Sequence, residues 1–186
     1  MKNSKPLIAV LVVLFSLTAA SAQGQSVSWK QVVGIIPAGN TVGTGTGAVP
    51  GGFLPWTTTA GAAHVNLRNG EIQFAVRGLV FAGGGPGITV GTPGPVTAVK
   101  GTLVCDVDGS ASDRNSVLVE TPSVPLSPTG DAMFRGHVDV PSVCSTESDI
   151  AFLVRVSAFG HSTVNGPWIA NGAVLTRSDR DRTHGD

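Results

Sequence analysis

The chain contains no tyrosine, and only ten of its 186 residues are aromatic, three tryptophans and seven phenylalanines. A domain of this size needs most of those rings for its core, which leaves little for a row of exposed stacking platforms. Charge is scarce as well. Twelve basic and twelve acidic side chains make up 13% of the chain, and without clustered Lys and Arg there is nothing to neutralise a phosphate backbone, so nucleic acid is excluded as a partner. Histidine occurs four times, at His64, His137, His161 and His184, with no pair at i,i+2 or i,i+4. The two cysteines, Cys105 and Cys144, have no His or further Cys at ligand spacing, so zinc is not indicated. Beyond the N-terminus no apolar run is long enough to span a bilayer, and no segment carries a helical period of useful length.

What is present begins with a secretory signal. Lys2 and Lys5 precede an apolar run over residues 7–20, interrupted only by Ser16 and Thr18, and Ala20-Ser21-Ala22 supplies the small-x-small exit. The run is shorter than the roughly 20 residues a membrane span needs, so residues 1–22 read as a signal peptide cleaved after Ala22. The 164 residues that remain carry ten basic and twelve acidic side chains, a net charge of −2. Export to an oxidising compartment, periplasmic or extracellular, makes a Cys105–Cys144 disulfide the expected state of the two thiols.

Glycine (25) and proline (12) punctuate many short β-branched segments, the pattern of an all-β fold. The expectation is an antiparallel β-sandwich of about eight strands, Greek-key-like, over residues 23–177, followed by a disordered charged tail at 178–186. Residues 96–105 and 149–156 are the central strands and partners of one another. Ala151 and Leu153 join Ile150, Phe152, Val154 and Val156 to make the second apolar on both faces. Residues 26–36, 116–121, 132–140 and 168–176 supply further strands, and residues 88–90 a short one. A hairpin spans residues 62–79. With Asn69-Gly70 as a type I′ turn, Arg68 opposes Glu71, Leu67 opposes Ile72, Val65 opposes Phe74 and Ala63 opposes Val76, leaving one face wholly apolar. The segment NGEIQFAVRGLV (residues 69–80) and the GPV turn at 94–96 resemble secreted β-domains of the chordin-repeat type over a small part of the chain. The His-x-His of those domains is absent, and no function is carried over.

The chemistry-bearing residues are few. Asp106, Asp108 and Asp113, with Ser110, group oxygen ligands as calcium requires, although the EF-hand spacing and its closing Glu are missing; the same residues also make ordinary turns. Gly160-His161-Ser162-Thr163-Val164 lacks the second glycine and the following helix of a nucleophile elbow. GGGPG at 83–87 precedes no helix that would cradle phosphate. Trp56, in the Phe53-Leu54-Pro55-Trp56 cluster, is the aromatic residue placed to contact a ligand such as a glycan, or else to plug one end of the core. The reading is a secreted or cell-envelope module, with no catalytic set and no required cofactor. It acts by binding a protein, glycan or other cell-surface component, or by structural association, through loops 41–56 and 82–95. The alternatives are a small secreted hydrolase or metal-dependent enzyme with a site assembled from distant residues, and a strand-exchanging surface assembly subunit.

Overall fold

The computed structural model describes residues 26–36, 39–145 and 149–177, so the segment read as a signal peptide and the charged tail lie outside the described residues. Among the described residues there is no α-helix. The strands are β1 (Ser26–Gly34), β2 (Thr41–Val42), β3 (Val49–Pro50), β4 (Trp56–Thr57), β5 (Ala60–Asn66), β6 (Glu71–Arg77), β7 (Val80–Phe81), β8 (Val96–Cys105), β9 (Val117–Glu120), β10 (Val124–Pro125), β11 (Ala132–His137), β12 (Ile150–Phe159), β13 (Ser162–Thr163) and β14 (Trp168–Arg177). One large antiparallel sheet runs β10-β8-β12-β14-β1-β5-β6-β11, with β9 on β8 and β13 on β12.

The sheet curls until its terminal strands β10 and β11 approach one another. Its two limbs therefore face each other across one interior. Phe152 on β12 lies 5.5 Å from Trp29 and 5.7 Å from Phe74, ring centre to ring centre, and Phe74 sits on β6, four strands along the sheet. Gly101 on β8 is what allows that approach. A Cβ there would stand 2.9 Å from the Phe74 ring and 3.0 Å from that of Phe152. The pairing of residues 96–105 with 149–156 is found as expected: Cys105 opposes Ile150, Leu103 opposes Phe152 and Lys100 opposes Arg155. Strand β12 lies between β8 and β14, which is why both its faces are apolar. Cys105 and Cys144 are joined in a disulfide.

Three local expectations need correction. The hairpin keeps its apolar face but its register is moved by two residues, so Val65 opposes Ile72 and Ala63 opposes Phe74. The cause is Asn66. Its side-chain oxygen accepts the N–H groups of Arg68 and Asn69 at 3.0 and 3.2 Å, and its carbonyl accepts from Gly70 at 2.9 Å. Gly70 alone of the Asn-Gly pair has positive φ, +74°, so the loop holds four residues rather than two. Because the shift is even, no side chain changes face. Glu71 then accepts Arg135 from β11 at 3.3 Å. Residues 88–90 form no strand but part of an open loop. Trp56 is not in a loop: it opposes Phe81 in a two-stranded ladder, β4 with β7.

Candidate functional site

Strand pairing brings Asp149 beside the aspartates that follow β8. With Cys105 opposite Ile150, the next residues out are Asp106 and Asp149, and carboxylate oxygens of Asp106, Asp108 and Asp149 all lie within 4.8 Å of one another. Asp113 stands outside this group, exposed in a turn at φ +50°. Asp106 is only 2% exposed, and its carboxylate accepts the Ala111 N–H at 3.0 Å. Asp108 accepts the Ser110 N–H at 2.9 Å, which with the Ser110 hydroxyl holds its carboxyl below the ordinary value. Asp149 is pushed up, first by burial and further by the neighbouring charge of Asp108, so of the two it takes the proton first.

That shift has a definite sign. A carboxyl whose folded pKa is raised contributes stability at low pH and loses it as pH rises through the folded value. At neutral pH, with a chelator present, Asp149→Asn is therefore expected to melt at a higher temperature than the parent. It should also lack the loss of stability that Asp149 is expected to bring to the parent as pH rises through its raised value. Asp108 acts in the opposite sense: its contribution is present above the ordinary carboxylate value and is lost as pH falls through its lower folded one. Melting curves across pH check this, and an Asp149→Asn protein no more stable than the parent at pH 7 would contradict it.

Trp56 is the second sequence candidate. It is 3% exposed, its ring centre 4.2 Å from that of Phe81. The pair forms the base of an apolar cavity of about 610 Å³ at one end of the fold. Gly52, Phe53 and Leu54 line one side, Ile88 and Pro95 another, and Val156 and Phe159 a third. Phe53, 86% exposed, and the half-exposed Phe159 stand at the rim. The two loops singled out in the sequence thus converge on one hollow, with Trp56 buried at its base and Phe53 exposed at its rim.

No family model, no curated protein and no solved structure matches this chain. Its chemistry has to be read from its own side chains.

His64 and His137 do not meet, because β6 runs between their strands β5 and β11. His64 instead pairs with Ser28, Nδ1 to Oγ at 2.8 Å, through the β1–β5 register that sets the two opposite. Nothing local in sequence announces that pair, since 36 residues separate its members. Serine activation for acyl transfer further requires donors aimed at the developing oxyanion. Residues 161–163 form the turn and short return strand of a β12–β13 hairpin, which has none of the strand-to-helix geometry of an elbow. Gly83 and Gly84 lie in the loop beside Ile88 and Pro55. Among the described residues no helix is long and apolar enough to cross a membrane.

Proposed function

We propose that this chain is an exported binding module whose ligand is a small apolar molecule, aromatic or aliphatic, taken up in the hollow above Trp56 and Phe81. The single observation that supports this is the lining of that cavity, which is almost wholly hydrocarbon and sulfur-free, with Ser162 as its hydroxyl-bearing member. About 610 Å³ lies within the range of pockets for small molecules. A lining of that kind rewards removal of apolar area from water and offers almost nothing to orient a polar substrate. It also weakens the glycan version, because Trp56 is covered by Phe81 rather than open as a platform.

A neutral apolar dye such as N-phenyl-1-naphthylamine should bind saturably, one per chain. Ile88→Glu, which places a carboxylate in the hollow from a surface loop, should weaken it by about tenfold or more. Phe53→Ser removes a rim contact and should weaken binding less, with the melting temperature unchanged. Absence of saturable binding, or binding indifferent to Ile88→Glu, would reject the proposal. Sedimentation that shows concentration-dependent dimers, abolished by Phe53→Ser, would favour the assembly-subunit reading instead.

Calcium is the second reading, favoured by the convergence of Asp106, Asp108 and Asp149. Three hard oxygen donors of one sign suit that ion, with solvent and main-chain oxygens completing the six to eight it takes. Calcium should raise the melting temperature over that in chelator, and Asp149→Asn should remove most of the increment. An identical midpoint with calcium and with chelator would dispose of this reading.

A further inference from the structure

Lys100 and Arg155 are directly opposed across the β8–β12 ladder, on the same face, and are 8% and 7% exposed. Two like charges in such a position repel, and burial costs several kcal/mol more for each. One carboxylate answers both. Glu120 on β9 takes Lys100 Nζ on Oε2 at 2.5 Å and Arg155 Nη1 on Oε1 at 2.6 Å. Arg155 Nε donates to the Gly166 carbonyl at 3.1 Å, and Lys100 Nζ to Asn165 Oδ1 at 2.6 Å. Two cations against one anion leave a formal charge of +1.

This surplus borders a second hollow, of about 420 Å³, on the face of β12 opposite the apolar one: Ser157 lines it, whereas Val156 lines the other. Apart from Val164, its remaining walls are polar and rich in donors. Asn165 has committed its oxygen to Lys100, which turns the NH₂ group outward as a donor. Ser123 and Ser157 share one hydrogen bond of 2.5 Å between their hydroxyls, so one of the two protons is left to give. Thr163 adds a third hydroxyl side chain to the lining, and Thr121 a fourth whose proton is given to the Pro122 carbonyl. Glu120, the one carboxylate of the lining, has an oxygen on each cation.

We infer that this hollow is an oxyanion site, in which a carboxylate or phosphate group of a small ligand is held by Lys100, Asn165 and the Ser123–Ser157 hydroxyls. The ligand supplies the second negative charge that the Lys100–Glu120–Arg155 cluster lacks. The two hollows adjoin at Val164 but share none of the anion-holding groups, so the site stands whether or not the apolar cavity binds a ligand.

Isotope-labelled protein is titrated with inorganic phosphate and, in parallel, with acetate at constant ionic strength, following the amides of Thr163 and Asn165. Saturable shifts with either anion are expected, and the stronger arm tells phosphate from carboxylate. Lys100→Met leaves Glu120 paired with Arg155 and should weaken the anion by about tenfold or more. Glu120→Gln removes the competing carboxylate, so anion affinity should rise several-fold even as the melting temperature falls. A purely structural ion pair would show only the fall. Should Glu120→Gln not fold, Ser157→Ala carries the same test by a several-fold loss of affinity. No saturable response to either anion, or a response unaltered by Lys100→Met, would overturn the assignment.

Discussion

Phe152→Ala is expected to remove about 3–5 kcal/mol of stability, a large part of the roughly 5–15 kcal/mol that a folded domain holds. Phe152 is fully buried, and its ring touches the aromatic side chains of both Trp29 and Phe74. It is the side chain through which the two limbs of the curled sheet meet. Truncation loses its transfer free energy and leaves a hollow that flanking β-strands, fixed by their hydrogen bonds, close only in part. Guanidinium unfolding followed by tryptophan fluorescence should show a lower midpoint with an unchanged slope. A loss below about 1 kcal/mol would mean that the limbs do not pack through this ring. Gly101 provides a second reading of the same contact. Gly101→Ala alone should destabilise, since its Cβ would press on Phe74 and Phe152. In the Phe152→Ala background part of that cost should vanish, a coupling that a double-mutant cycle measures.

Removal of the disulfide, as Cys105→Ala with Cys144→Ala, should cost about 2–4 kcal/mol. The two residues are 39 apart in sequence. The bond ties the end of β8 to the short turn Ser142–Ser145 that precedes β12, so cutting it frees the unfolded chain from a long closed loop. Both sulfurs are buried, and alanine fills the site less completely. The same bond stands beside Asp106 and Asp149. Any calcium response of the parent should therefore weaken in the double variant, because the connection that carries Asp149 is no longer anchored next to Asp106. Equal chemical stability of parent and double variant would show that β8 and β12 need no tether.

The sheet pairing at the centre was legible because both partners are long, apolar and flanked by the only two cysteines. From that pairing Asp149 was legible too: fixing Cys105 near Ile150 sets Asp106 against Asp149. The choice of Asp113 instead followed sequence proximity, whereas the chain turns away at Asp113 with positive φ. The hairpin showed its faces in its alternation but not its register, since an asparagine four residues before the glycine supplied a competing turn. The Lys100–Arg155 opposition was hidden for another reason. Each residue taken alone reads as a polar position on a strand, and only a register of pairs reveals that they face each other. Cavities are harder still. The hollow over Trp56 and Phe81 is made by residues from two distant stretches, 52–96 and 156–169, and apolar residues that line a space look in sequence like apolar residues that fill one.

Strand β14, the last of the described strands, lies between β12 and β1, the first of them. Each limb, β10-β8-β12 on one side and β1-β5-β6-β11 on the other, can pair within itself, but only β14 joins the two into one sheet. Such far-separated pairings fold slowly. Slow closure leaves the two limbs for longer as separate sheets with open edges, and such edges invite pairing with other chains.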